Sequence, residues 1–307
     1  MDVLSVKGLY KKIGRQTILE DINIEVKEKE IVGFLGPNGS GKSTTIKCIC
    51  GLYHATAGTI TVNGYDINKS RKEALNNMGV SIEAPALYPQ LTGREHLKMM
   101  GRWRKVGKDR VKEMEAYSGL EHHLDKVVQG YSMGMKMRLM LSLTLMARPK
   151  LLILDEPTNG LDPQAVFELR EQMEVIRREG SSILFSSHQL NEVEKLSDRI
   201  ILLKQGKKVF DGQLSEEFQS TIRYGMKVPD TEKAVHILIQ EGITDCREGE
   251  EGVLFSVKGE KEFYKVLSLM HENKLHVYDI TKHEMDLEDF YRKVYEGGNG
   301  IAGTDKE

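Results

Sequence analysis

The sequence has few of the features that mark secreted or membrane-spanning proteins. Its 307 residues include three cysteines, Cys48, Cys50 and Cys246, which are too few for a disulfide framework and indicate a reducing compartment. The longest apolar candidate, Leu139 to Ala147, is far shorter than the roughly 20 residues that a membrane-spanning helix needs. The first residues, Met1 to Ser5, lack the regions of a signal peptide. We therefore expect a cytoplasmic protein, unless a partner carries it to a membrane.

The chain also lacks a large excess of charge of either sign. It has 44 lysines and arginines, 46 aspartates and glutamates, and a formal net charge of −2. This balance argues against a general nucleic-acid binder, and no nucleic-acid partner is predicted. With 39% hydrophobic and 29% charged residues, the composition is typical of a globular protein. The length favours about two domains.

Residues 1–215 show the alternation of a parallel α/β protein. Short apolar runs at Ile31–Leu35, Leu151–Leu154 and Ser182–Phe185 predict strands buried on both faces. Residues 2–35 are predicted to be mainly strands, and Thr59–Ile67, with Asn63-Gly64 at its centre, predicts a hairpin. The predicted fold is a core with a parallel sheet, an N-terminal antiparallel β subdomain, and a helical insertion at about 92–148.

The remaining residues predict a second, smaller domain of α+β type at 221–296. Acidic residues outnumber basic ones there, whereas the reverse holds before it. The last residues, 297–307, include four glycines and are expected to form a flexible tail. The predicted order of elements is strand Tyr224–Val228, helix Thr231–Glu241, strand Val253–Val257, helix Lys261–Asn273, strand His276–Ile280 and helix Leu287–Tyr295.

The strongest motif is a glycine-rich loop that follows a predicted buried strand and precedes a helix. It matches G-x-x-x-x-G-K-[ST] in the context that a phosphate-binding loop requires. Consecutive backbone N–H groups at a helix N-terminus form an anion cradle. Lys42 is positioned to reach the β- and γ-phosphates, and the Ser43 hydroxyl to bind Mg²⁺. The loop comprises Gly36, Pro37, Asn38, Gly39, Ser40, Gly41, Lys42, Ser43 and Thr44.

Two carboxylates end the strand at Leu151–Leu154. Asp155 and Glu156 are therefore expected at the carboxyl edge of the sheet, where ligands of α/β proteins bind. Asp155 is predicted to hold Mg²⁺, directly or through water, and Glu156 to polarise the attacking water. These motifs predict a P-loop NTPase.

Further motifs narrow the class. Tyr131-Ser132-Met133-Gly134-Met135-Lys136 begins a helix before the carboxylates, Gly160-Leu161-Asp162 follows them closely, and Ser187-His188 ends the next predicted strand. In this order and spacing, residues 1–215 resemble the ATP-binding cassette (ABC) ATPases. The segments 82–88 and 131–136 are similar to the bacitracin and lantibiotic export or immunity branch of that family.

The resemblance implies roles for particular residues. Tyr10 stands where the family has an aromatic that stacks on adenine, and Glu83 where it has a glutamine near Mg²⁺ and the attacking water. Ser132 and Gly134 would contact the γ-phosphate bound by an opposite subunit, and Asp162 would contact that subunit. Three further residues and the loop carry over directly: Asp155 to Mg²⁺, Glu156 to water, His188 to the γ-phosphate, and Gly36–Thr44 to the phosphates of ATP.

Three positions depart from the family pattern. Met133 and Met135 replace the usual glycine and glutamine of the signature, and Glu83 replaces the loop glutamine. As a carboxylate, Glu83 is expected either to bind Mg²⁺ more strongly than the family's glutamine or to lie further back from it. Because Ser132 and Gly134 remain, hydrolysis is still expected.

A basic cluster at Arg102, Arg104, Lys105, Lys108 and Arg110 has two open interpretations. One is a solvated helix face. The other is contact with the cytoplasmic loop of a membrane partner or with lipid head groups.

The resemblance leaves two functions to compare. The first is an ATP-hydrolysing transport subunit that acts as a homodimer or heterodimer with separate membrane permease subunits, at the inner face of the membrane. An exporter of a peptide antibiotic or another amphipathic compound fits the branch. The second is a soluble, ATP-switched regulator. The chain lacks the long coiled-coil insertion or second cassette common in soluble family members, so transport is favoured.

Overall fold

The computed structural model describes residues 2–83, 85–188, 190–213, 222–249 and 252–283, together with Tyr291 and Tyr295. The chain divides into two compact units, Met1–Asp211 and Gly212–Glu307. Within the part described, no helix is both long enough and apolar enough to cross a membrane.

The first unit contains two sheets and seven α-helices among its described residues. Short 3-10 turns occur at Glu121–Asp125, Val128–Gly130 and Leu145–Ala147. The strands are β1 (Asp2–Ile13), β2 (Gln16–Lys27), β3 (Ile31–Leu35), β4 (Ala57–Val62), β5 (Tyr65–Asp66), β6 (Met78–Ser81), β7 (Leu151–Asp155), β8 (Ser182–Ser187), β9 (Arg199–Lys204) and β10 (Lys207–Gln213). The helices are α1 (Lys42–Ile49), α2 (Arg71–Asn76), α3 (Gly93–Trp103), α4 (Lys108–Tyr117), α5 (Met133–Thr144), α6 (Pro163–Arg178) and α7 (Leu190–Leu196).

The N-terminal sheet is antiparallel, with strand order β2-β1-β4-β5. The predicted hairpin is present as β4 and β5. Its central residues, Asn63 and Gly64, have φ values of 49° and 82°, as the tight turn of a two-residue hairpin requires.

The central sheet has the order β10-β9-β3-β8-β7-β6. Strands β9, β3, β8, β7 and β6 pair in parallel, and every residue of β3, β7 and β8 is buried. Burial on both faces explains their continuous apolar runs. The core with a parallel sheet, the antiparallel subdomain and the helical insertion are confirmed.

The second unit forms a four-stranded antiparallel sheet, in the order β12-β13-β11-β14. Its topology is βαββαβ, the split arrangement of ferredoxin-like folds. Phe255 and Met270 lie in the apolar core between sheet and helices. The elements are β11 (Ile222–Lys227), α8 (Thr231–Gln240), β12 (Cys246–Gly249), β13 (Gly252–Val257), α9 (Glu260–Glu272) and β14 (Asp279–His283).

Two sequence predictions for this unit differ from the structure. Strand β12 was not predicted, because it is short, half exposed and ends in Gly249. The last described strand is Asp279–His283 rather than His276–Ile280. The predicted helix Leu287–Tyr295 (except Tyr291 and Tyr295) and the tail 297–307 lie outside the described residues.

Candidate functional site

The glycine-rich loop connects β3 to α1 and forms the floor of the site. Gly41 precedes the helix with φ of 110°, a backbone conformation that side chains strongly disfavour. A Cβ at this position would also lie 2.6 Å from the side chain of Leu19. Glycine is therefore required where the chain turns into α1, and the turn leaves the first N–H groups of the helix without intrahelical partners.

Lys42 is held inside this loop. Its Nζ donates hydrogen bonds to the carbonyl oxygens of Gly36, at 2.5 Å, and Pro37, at 3.4 Å. Burial lowers the pKa of the Lys42 ammonium, while the nearby carboxylates of Glu156 and Asp155 oppose that shift. The loop thus has one buried cation close to two anions.

The register of the central sheet brings the predicted motifs to one edge. Strand β8 lies between β3 and β7, with Leu35 opposite Ser187 and Asp155 opposite Ser186. Because the three strands are parallel, the residues that follow their carboxyl ends lie together. The loop after β3, the carboxylates at the end of β7, and His188 after β8 all meet there.

Ser186 connects the two carboxylate residues, a role that no sequence motif predicted. Its hydroxyl donates to Oδ1 of Asp155 at 2.5 Å and accepts from the backbone N–H of Glu156 at 2.9 Å. Ser186 is fully buried and Asp155 is 3% exposed. Glu156 has φ of 52°, so this hydrogen bond holds a residue in an unfavourable backbone conformation.

Glu156 and His188 form a pair that faces a cavity of about 620 Å³. The Nδ1 atom of His188 lies 2.7 Å from Oε2 of Glu156. The cavity lining includes most of the predicted loop and three residues that were not predicted: Gln16, Ile18 and Asn159. The full lining is Gln16, Ile18, Pro37, Asn38, Gly39, Gly41, Lys42, Ser43, Thr44, Glu156, Asn159 and His188.

The donor set at this edge fits a magnesium ion. The Asp155 carboxylate and the Ser43 hydroxyl would supply oxygen ligands, which Mg²⁺ prefers. Among the described residues, no group of three or more His, Cys, Asp or Glu side chains could hold a metal. A site with one or two carboxylates, completed by substrate phosphates and water, is the usual arrangement for Mg²⁺.

The signature residues form a second cluster that does not line the cavity. Ser132 caps α5 by accepting a hydrogen bond from the N–H of Met135, and Asp162 caps α6 by accepting one from the N–H of Ala165. A Cβ on Gly134 would lie 3.2 Å from the Cβ of Ala165. The beginnings of α5 and α6 are therefore adjacent to each other.

Met133, one of the two departures in the signature, lies at the same place. A Cβ on Gly160 would lie 3.6 Å from Cε of Met133. The methionine thus occupies the space between the signature and the loop that precedes α6.

Two other predicted residues also lie outside the cavity lining. Tyr10 is half-buried in β1, opposite Ala57, while Ile18 provides apolar surface at the cavity wall. Glu83, with φ of 60°, forms an ion pair with Lys47 of α1 at 3.1 Å. This hydrogen bond raises the pKa of Lys47.

Comparisons with known proteins show the family to which the chain belongs. The ABC transporter family matches residues 19–159. The chain is 36% identical over 294 residues to the ABC transporter ATP-binding protein YdbJ of Bacillus subtilis (strain 168), and the alignment covers 95% of each chain. It is also 36% identical over 305 residues to the bacitracin transport ATP-binding protein BcrA of Bacillus licheniformis, covering 96% of this chain and 98% of BcrA.

A solved structure of the ATP-binding subunit of an ABC transporter superposes with a TM-score of 0.65 at 28% identity. The superposition covers 86% of this chain and 99% of the solved one. The fold and the site define a P-loop nucleotide-binding protein. The chain belongs to the ABC transporter ATP-binding proteins, a family that binds and hydrolyses ATP.

Proposed function

We propose that this chain hydrolyses ATP to drive export of a peptide antibiotic or another amphipathic compound through separate membrane subunits. The ATPase activity is inferred from the Glu156–His188 pair, which faces the same cavity as the phosphate loop. The exporter assignment is supported by the similarity to BcrA, a bacitracin transport protein, over nearly the whole chain.

In this proposal, the loop residues bind the phosphates of ATP. The backbone N–H groups of Gly36–Thr44 and the ammonium of Lys42 supply the positive potential of an anion site. Asp155 and Ser43 would hold Mg²⁺, which would neutralise charge on the phosphates. The ion pair with Lys47 holds Glu83 at the loop after β6, so that its carboxylate is balanced by a cation.

Glu156 is the proposed general base. Its carboxylate is 19% exposed and hydrogen-bonded to His188, so it is positioned to orient and deprotonate water at the cavity. His188, at 51% exposure, is free to turn its other ring nitrogen towards the terminal phosphate. Both residues would act on one phosphate.

We further propose that two such subunits act together. Ser132, Gly134 and Asp162 form their own cluster at the start of α5 and α6, outside the lining of the phosphate cavity of the same chain. A second subunit would present this cluster to the cavity of the first. The partner is this chain again or a related ATPase.

The kinetic test is the substitution Glu156→Gln. We expect ATP binding to remain and turnover to fall by a factor of about 10² to 10⁴, because water loses its base while the cradle is intact. Glu171→Gln, on the exposed face of α6, is the matched control. Turnover close to that of the control would exclude Glu156 as the base.

The binding test is Lys42→Ala. Removal of the ammonium should lower the affinity for ATP, measured by equilibrium binding of a fluorescent nucleotide. Unchanged affinity would contradict the contact between Lys42 and the phosphates.

A further inference from the structure

One histidine is buried among the side chains that the structure describes, and it lies outside the lining of the phosphate cavity. This residue, His96, lies near the start of α3 and is 2% exposed. Its Nδ1 atom lies 2.8 Å from the backbone oxygen of Thr92, and its Nε2 atom lies 2.9 Å from the backbone nitrogen of Tyr88. The ring of Tyr88 stacks on the imidazole, with ring centroids 5.9 Å apart. Both ring nitrogens of His96 therefore have backbone partners.

These two partners fix the protonation state of the His96 ring. A backbone N–H can only donate, so Nε2 must present its lone pair to Tyr88. A carbonyl oxygen can only accept, so Nδ1 must carry the proton that faces Thr92. The imidazole is thus neutral, with its proton on Nδ1. An imidazolium would have donors at both nitrogens and no acceptor for the N–H of Tyr88.

Tyr88 belongs to the segment 85–91, which precedes α3. The segment begins two residues after Glu83, which lies beyond the end of β6. At its other end it enters α3 through Thr92, and this residue fixes the start of the helix by a capping box. The hydrogen bond from Tyr88 to His96 holds the segment against that fixed helix start.

The same segment pairs with the part of the chain that leads to the signature. The N–H of Val128 donates to the carbonyl oxygen of Leu91 at 2.9 Å, and the N–H of Gln129 donates to that of Pro89 at 3.0 Å. The signature residue Ser132 follows three residues later. A shift of the segment 85–91 would therefore act in two directions, on the carboxylate that precedes it and on the start of the signature helix.

We propose that His96 is a positioning residue for ATP hydrolysis and that it acts by holding the segment 85–91 through the lone pair of Nε2. The proposal rests on the proposed ATPase function. His96 does not line the phosphate cavity, so its effect passes through Glu83 and Ser132. Loss of its bond to Tyr88 should lower kcat, because both of those residues would be displaced. The KM for ATP should change little, because the loop that would bind the phosphates is unaltered.

Two substitutions separate the two contacts of the ring. In His96→Gln, the longer side chain brings its amide oxygen near the former position of Nε2, where it can accept from Tyr88. In His96→Asn, the shorter side chain keeps a donor for Thr92 but leaves the N–H of Tyr88 without its partner. We expect kcat to fall at least about tenfold in His96→Asn and less than about threefold in His96→Gln, with KM within about twofold in both.

The matched control is Ser118→Ala, at the end of α4 in the same helical insertion. Ser118 is 1% exposed, and its hydroxyl also has two backbone partners. It donates to the carbonyl oxygen of Glu115 at 2.7 Å and accepts from the N–H of Leu120 at 3.3 Å. The control thus loses two hydrogen bonds at a buried position away from the segment 85–91. Its kcat should stay within about twofold of that of the unmodified chain, even where urea unfolding shows a loss of stability.

Two measurements on the full chain without nucleotide test the contact itself. Nitrogen-15 NMR of the imidazole should show a protonated Nδ1 and an unprotonated Nε2 for His96. Amide hydrogen exchange at Tyr88, Val128 and Gln129 should be at least about tenfold faster in His96→Asn than in the unmodified chain, and close to the unmodified rate in His96→Gln.

Three results would overturn the inference. One is a proton on Nε2 of His96. Another is an equal kcat in His96→Asn and His96→Gln. The third is a fall in kcat in Ser118→Ala as large as that in His96→Asn, which would assign the effect to general destabilisation of the insertion. An unmodified chain that hydrolyses no ATP would instead contradict the proposed function, and the NMR and exchange measurements would still decide whether His96 holds the segment.

Discussion

The substitution Ser186→Ala tests how the catalytic edge of the sheet is held together. It removes the Ser186 hydroxyl, so the Asp155 carboxylate and the Glu156 N–H lose the partner that they share. A hydrogen bond to a charged group contributes about 1.5–3 kcal/mol, and a buried donor left unpaired costs about 1–3 kcal/mol. Because water can enter and relieve part of the loss, we expect the free energy of unfolding of the first unit to fall by about 2–4 kcal/mol.

The same substitution should lower turnover. Groups that orient a metal ligand typically change activity by about 10- to 100-fold, and Asp155 is the proposed ligand. Ser142→Ala is the matched control, since this serine is also fully buried but donates only to a backbone carbonyl at 2.9 Å. The control should cost about 1 kcal/mol or less.

The assay is hydrogen exchange through β7 and β8 in increasing urea, together with the steady-state rate of ATP hydrolysis. If Ser186→Ala destabilises these strands no more than Ser142→Ala does, or if both variants keep the same turnover, then Ser186 does not hold Asp155 and Glu156 in place.

Other substitutions test packing, acid dependence and surface charge. Gly33→Ala should destabilise the first unit by about 1–3 kcal/mol, measured by urea unfolding, since the new Cβ would lie 2.3 Å from Cγ1 of Val193; unchanged stability would show that α7 is not packed as described. Hydrogen bonds from Thr92 lower the pKa of Glu95 below its usual 4.5. The ionised Glu95 therefore stabilises the fold above that pH, and this stabilisation is lost as the pH falls through the lower pKa of the folded state. Glu95→Gln should remove this part of the acid dependence of unfolding, and an unaltered pH profile would contradict the prediction. Glu83→Gln should change the free energy of unfolding by less than about 1 kcal/mol, because its ion pair is exposed; a larger loss would mean that this pair is more than a surface contact.

The sequence predicted those parts of the site that depend on local pattern. The loop Gly36–Thr44 was located because glycine spacing, a preceding apolar strand and a following helix all act within one short segment. Asp155 and Glu156 were located because they directly follow a strand whose residues are all apolar. The pair Asp162-Pro163 is typical of a helix N-cap followed by a proline in the first turn, and Asp162 caps α6.

Features that depend on tertiary pairing were not predicted. Ser186 acts through its register opposite Asp155 in a neighbouring strand, which no local pattern specifies. The apolar wall at Ile18 comes from the antiparallel sheet, whereas Tyr10 was predicted from the family resemblance, which does not specify the lining of this cavity. In the basic cluster, Arg104 and Arg110 donate to backbone carbonyls, and the sequence did not predict which basic residues have such partners.

In the proposed function, this chain drives a membrane transporter through ATP hydrolysis. The most direct measurement is to trap Glu156→Gln with ATP and Mg²⁺ in its native cells, solubilise the complex in mild detergent, and identify what copurifies. We expect a multi-span membrane protein in stoichiometric amount, bound to a pair of ATPase subunits. Recovery of soluble partners only, or of an ATPase dimer free of membrane protein, would exclude the transport function and favour an ATP-switched regulator.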